Sequence, residues 1–145
     1  MKQYAASCGP YRLTLAVRLL GRDVQLLLTG GAAHIGAVAL AVPRAGLRHA
    51  ESAGADASVL CVSGHREDLL ARETALRVSR AWRTVVCATC GIHFDGLDEE
   101  GITTVLSLAR RLTDRLLADP PPLPLLPHGC NAVRAANTPA KGDVS

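Results

Sequence analysis

Residues 58–88 read SVLCVSGHREDLLARETALRVSRAWRTVVCA, and the change of period inside this stretch decides the fold. Ser58 to Val62 is a short apolar run suited to a strand. From Arg66 to Trp82 the spacing turns helical: Ala71, Ala75, Val78 and Trp82 share one side, and Arg66, Glu73, Arg77 and Arg80 the other. Arg83 to Ala88, with Val85, Val86 and Cys87, returns to strand. A strand, a helix and a strand in this order make a crossover, so the two strands should run parallel and end at one edge of a sheet.

The flanking segments extend that sheet. Tyr11, Leu13, Leu15, Val17 and Leu19 alternate with Arg12, Thr14 and Arg18, as a half-buried strand requires. Gly21-Arg22-Asp23 reads as a turn, and Val24 to Leu28 as the returning strand of a hairpin. His34 to Ala41 is apolar apart from its histidine and suits a strand covered on both faces, ended by Pro43. Arg44 to Ala57 has no period and is expected to be a loop. Asp98 opens a longer helix with a stripe of Ile102, Val105, Leu106, Ala109, Leu112 and Leu116, and Glu99 and Glu100 in its first turn.

The expected order is ββββαβα: an α+β two-layer sandwich, one mixed sheet with two helices on one face. A single domain over residues 8–118 is followed by a Pro-rich segment, 119–145, expected to be an extended or disordered tail.

Composition narrows the function classes. Aromatic residues make up 3% of the 145, only Tyr4, Tyr11, Trp82 and Phe94, too few for a stacking nucleic-acid reader or an aromatic-lined groove. The net charge of +3 comes without a run of like charge, so no nucleic-acid partner is indicated. Cys8, Cys61, Cys87, Cys90 and Cys130 are an odd, scattered set in a chain 48% apolar, and point to a reduced, cytoplasmic setting. No apolar stretch is long enough for a bilayer, and Met1 to Pro10 lacks the pattern of a signal peptide, so no membrane association is expected.

The polar residues converge by topology. His34, His65 and His93 each lie near glycine at a strand end, and the crossover brings all three to one edge with Glu67, Asp68 and Asp95. Any one of these histidines alone reads as a cap or a partner of a loop carbonyl; together they read as a ligand set suited to a divalent metal. Open α/β sheets bind ligands at such an edge. Ser63-Gly64-His65-Arg66 would accept a phosphate there, with Ser63 as helix N-cap and Gly64 allowing close approach to backbone. Cys87-Ala88-Thr89-Cys90 has redox spacing but rides a strand, where positions three apart face opposite ways, and reads as two separate thiols. His49 and His128 lack supporting neighbours and are expected to be solvated. No nucleophile–base arrangement, Walker loop or dinucleotide fingerprint is present, and no catalytic residue is assigned.

Gly30-Gly31-Ala32-Ala33-His34-Ile35-Gly36-Ala37-Val38-Ala39-Leu40-Ala41, Pro43-Arg44, Gly64-His65-Arg66-Glu67-Asp68 and Gly91-Ile92-His93-Phe94-Asp95, taken in order over roughly residues 11–117, resemble the LpdD-like family. These are the prenylated-flavin chaperones, small D-type proteins associated with UbiD-type decarboxylases of gallate and other hydroxyarylic acids. The resemblance implies an accessory protein without decarboxylase activity that binds prenylated FMN, or FMN, and delivers or matures it for the large decarboxylase subunit.

His34, Ser63, Gly64, His65, Arg66 and His93 are then the flavin contacts. Arg44 belongs to the motif, but at the far end of its strand it would reach the flavin only across a homodimer or higher homo-oligomer. A divalent metal ion on His65, Glu67, His93 and Asp95 would explain acidic groups beside a phosphate. Phe94 is the aromatic placed to touch the flavin. The large decarboxylase subunit is the expected partner and a flavin prenyltransferase a second. The alternatives are a small metal-dependent lyase or hydrolase built on the His/Asp/Glu cluster, and a purely structural decarboxylase subunit.

Overall fold

The computed structural model describes residues 1–45 and 53–123. Its elements are β1 (Lys2–Cys8), β2 (Tyr11–Leu20), β3 (Asp23–Gly31), β4 (Ala37–Ala45), β5 (Ala53–Cys61), α1 (Asp68–Trp82), β6 (Val86–His93) and α2 (Glu99–Ala118). The strands form one mixed sheet in the order β1-β2-β3-β6-β4-β5. Only β3 and β6 pair in parallel; β4 is antiparallel to both β5 and β6. β5 and β6 therefore point the same way with β4 between them, and the α+β sandwich read from the sequence is the observed architecture.

Alternation sorts the side chains. Leu13, Leu15 and Val17 of β2, Val24, Leu26 and Leu28 of β3, and Val86, Ala88 and Cys90 of β6 are buried on one face, beneath both helices. Over β1 and β2, α2 fills the space with Val105, Leu108, Leu112 and Leu116. Over β4 the scale changes. Ala37, Ala39 and Ala41 are completely buried against α1, which brings Ala71 and Ala75. Small side chains on both surfaces let helix and sheet approach closely, so each methyl there is held by its neighbours. Within α2, Leu108 is buried, whereas Ile102 of the expected stripe stays half exposed.

The structure departs from the sequence expectations in five places. β1 joins the sheet edge through its register with β2, Tyr4 opposite Leu15, although its own sequence is only weakly apolar. His34 precedes β4, which starts at Ala37, so the histidine sits in the connecting loop. β4 runs on through Pro43 to Ala45, and β5 begins at Ala53, so both ends of the expected loop are strand. Beyond Ala41, β4 no longer pairs with β6, and a proline without an N–H is tolerated on that side. The strand expected at Arg83 to Ala88 is displaced to Val86–His93, and α1 begins at Asp68, beyond the expected Arg66. At the start of the tail, the Asp119 carbonyl accepts from Lys2 Nζ at 2.9 Å and from the Tyr4 hydroxyl, tying the end of α2 to β1. The readings made for His49, His128, Cys130 and most of the Pro-rich tail fall outside the described residues.

Candidate functional site: a histidine–glutamate cluster at one sheet edge

The carboxyl ends of β3, β5 and β6 and the start of β4 meet at one edge, and three side chains converge there. His34 Nε2 lies 3.0 Å from His65 Nδ1 and 3.2 Å from Glu67 Oε1, and His65 Nδ1 lies 3.6 Å from Glu67 Oε2. His34 Nδ1 is 3.0 Å from the Ala32 carbonyl. A carbonyl only accepts, so Nδ1 donates to it and Nε2 is the ring nitrogen turned toward His65 and Glu67.

Backbone without side chains makes this packing possible. A Cβ on Gly91 would collide with the His34 carbonyl, and one on Gly36 would sit 2.6 Å from Glu67 Oε2. The Gly36 N–H donates to the Cys90 carbonyl at 2.9 Å and the Val62 N–H to the Gly36 carbonyl at 2.8 Å, which seats the His34 loop between β6 and the end of β5. Glu67 is only 9% exposed. Its Oε1 accepts from the Ile92 N–H at 3.3 Å, and its buried Oε2 has no hydrogen-bond partner.

Glu67 also occupies the N-cap position of α1, yet its side chain caps nothing. Ser63 is therefore not the cap; it sits in a turn closed by the His65 N–H on the Val62 carbonyl at 3.1 Å. Gly64 takes φ +86° there, with open space where a side chain would stand. Arg66 is exposed, with no ion-pair or hydrogen-bond partner among the described residues. Ile35 and Val62, on either side of the Gly36 hydrogen bond, are 61% and 47% exposed.

The remaining candidates separate from this cluster. His93 approaches His34 ring to ring, centroids 6.3 Å apart, but its Nε2 pairs with the fully exposed Asp95 at 3.1 Å. Among the described residues, the donor atoms close enough to share one ion are thus those of His34, His65 and Glu67: of the expected ligands His65, Glu67, His93 and Asp95, the first two belong to this group, His34 joins them, and His93 and Asp95 stand apart. Asp68 begins α1 and makes no hydrogen bond or ion pair with them. Arg44 pairs with Asp56 at 2.8 Å at the opposite end of β4, as expected, so one chain cannot bring it to the histidines. Phe94, partly buried, packs edge-on to Tyr11, centroids 5.2 Å apart, and over Gly30 and Gly31, against the core. Cys90 is completely buried, and that burial, helped by the Glu67 charge, pushes its thiol up to about 12. Cys87 faces the other side of β6, so the two cysteines cannot act together.

The sequence profile of the prenylated flavin chaperone LpdD-like domain matches residues 7–119. The chain belongs to this family. No curated protein matches it in sequence. Among solved structures it is similar to a chain from a chaperone complex for yeast 20S proteasome assembly, with a TM-score of 0.50 and 12% identity, covering 81% of this chain and 94% of that one. At that identity the likeness speaks for the fold alone.

Within this LpdD-like domain, His34, His65, Glu67 and His93 lie at the edge to which the chain topology brings them, and only the structure shows which of them touch. The expected close approach is at Gly64, to a phosphate; the structure adds Gly36 and Gly91, which make room for Glu67 and His34. The signal was present as a glycine beside or near every histidine. No helix of the described residues is long and apolar enough to cross a membrane.

Proposed function

We propose that this LpdD-like protein binds prenylated FMN, or FMN, at the histidine edge and hands it to a UbiD-type decarboxylase large subunit, itself performing no decarboxylation. The observation that carries the reading is the family membership, joined to a sheet edge whose open donors suit a flavin phosphate. A phosphate dianion requires backbone N–H groups and cations. The Ser63-Gly64 turn, His65 and the unpaired Arg66 are such groups, with His93 alongside. The isoalloxazine requires apolar surface, and the exposed Ile35 and Val62 supply it beside the cluster. The flavin is cargo; its chemistry is used in the decarboxylase.

Cofactor sites bury most of their ligand, and two hollows among the described residues lie away from the histidine edge. One of about 250 Å³ lies between Cys8–Tyr11 and the start of α2, and one of about 150 Å³ on the open sheet face near Leu27. An edge that grips the phosphate end and leaves the ring exposed holds a flavin loosely enough to be taken by an enzyme. A second copy of the chain, or the decarboxylase, would cover the ring, and a homo-oligomer would offer Arg44 its only route to it.

The test is anaerobic mixing with prenylated FMN, followed by native mass spectrometry and by transfer to apo-decarboxylase. Retention of one flavin per site, weakened at least tenfold in Arg66→Ala, and faster appearance of decarboxylase activity are expected. A protein that retains no flavin and leaves loading of the enzyme unchanged would overturn the reading.

A further inference from the structure

We propose that His34 Nε2, His65 Nδ1 and the Glu67 carboxylate form a binding site for one divalent transition-metal ion. The separations of 3.0, 3.2 and 3.6 Å between these donors are those of neighbours in one coordination shell. With bonds of about 2.0–2.2 Å to imidazole and carboxylate, adjacent donors stand roughly 3.0–3.5 Å apart. Each carboxylate oxygen faces a different imidazole, so the carboxylate can close the shell through either one.

Three further observations point to a cation. The Glu67 Oε2 atom is buried without any hydrogen-bond donor, an arrangement that costs stability unless a positive charge sits against it. His34 is oriented from behind by the Ala32 carbonyl, the outer-shell contact that fixes the tautomer of metal-bound histidines. Glu67 leaves the N–H groups of its own helix uncapped to face the histidines, and Gly36 keeps the space its carboxylate needs.

Two imidazoles and one carboxylate select zinc, manganese, iron(II), cobalt or nickel over magnesium and calcium, which take mainly oxygen donors. Three protein ligands leave positions open for water or an oxygen ligand. That one of these takes a phosphate oxygen of the flavin rests on the function proposed above; binding of the ion itself does not.

The test uses the full chain, stripped of metal and free of flavin, titrated with cobalt(II) and followed by visible absorption, with zinc(II) titrated by calorimetry. One equivalent bound per chain is expected, with d–d bands of a nitrogen–oxygen shell. Glu67→Gln and His34→Ala should each lower affinity at least tenfold while circular dichroism remains that of the parent. The exposed Cys61, whose Sγ lies 3.2 Å from the His65 carbonyl oxygen, is the competing ligand. A thiolate-to-cobalt charge-transfer band that disappears in Cys61→Ser would therefore overturn the assignment. So would the absence of stoichiometric binding, or equal binding by the parent and both variants. If metal binds as expected but chelation leaves flavin retention unchanged, the ion site stands and the phosphate bridge falls.

Discussion

The two helices begin on acidic residues that do opposite things. Asp98 takes extended backbone before α2 and accepts from the Gly101 N–H at 2.8 Å, an ordinary N-cap. Glu67 stands at the same position before α1, but its side chain turns away from the helix and is buried beside two histidines. The first carboxylate satisfies its own helix; the second leaves its helix uncapped and holds one oxygen unsatisfied. Local rules broken in this way, without local compensation, are what functional sites look like from the viewpoint of folding.

That contrast can be broken most severely from outside either carboxylate. Gly91→Ala drives a methyl group into the His34 carbonyl; backbone on both sides prevents relief, and a loss of about 3 kcal/mol or more in a denaturant titration is expected. Gly36→Ala meets the Glu67 carboxylate at 2.6 Å, a side chain that can swing, so a smaller loss of about 1–3 kcal/mol is expected, together with displacement of Glu67. In Asp98→Ala the cap of α2 goes, costing about 1 kcal/mol and leaving metal and flavin binding as they were.

Glu67→Gln should behave in the opposite sense. At pH 8, without metal, it removes a buried charge with an unpaired oxygen, and the melting temperature should stay level or rise. With zinc at about one hundred times its dissociation constant, the parent should gain about 2.7 kcal/mol and the variant far less. Destabilisation of Glu67→Gln equal to that of Asp98→Ala would make the two carboxylates alike and remove the contrast. The smallest effect is chemical. Exposed Cys8 and Cys61 should react with iodoacetamide at pH 8, while Cys90, buried and with its thiol pushed up to about 12, should react only on unfolding, as peptide mapping would show.

Much of the fold was legible where a long pattern repeats. The alternation from Tyr11 to Leu19 and the apolar stripe of α2 each bury one face, and period alone identifies such elements. β1 and the outer parts of β4 and β5 were not legible. Ala, Gly, Ser and Asp carry little strand preference, and these segments become strands because a neighbour offers a ladder, as in Val42 opposite Asp56 and Arg44 opposite Gly54. At the site, topology sufficed to assemble His34, His65, His93 and Glu67. The pairing of His93 with Asp95, away from the cluster, depends on side-chain direction and had no sequence signal.

Taken alone, the sequence determined the α+β class, the crossover, and the edge at which histidines and acids would gather, because these follow from periodicity and chain direction over neighbouring residues. Only the tertiary structure decided that Glu67 faces His34 and His65 instead of capping α1. That choice depends on space left by Gly36 and Gly91 in segments distant along the chain, and on a backbone N–H offered by Ile92 of β6. Local preference ranks the options open to a side chain; the packing of remote segments removes all but one.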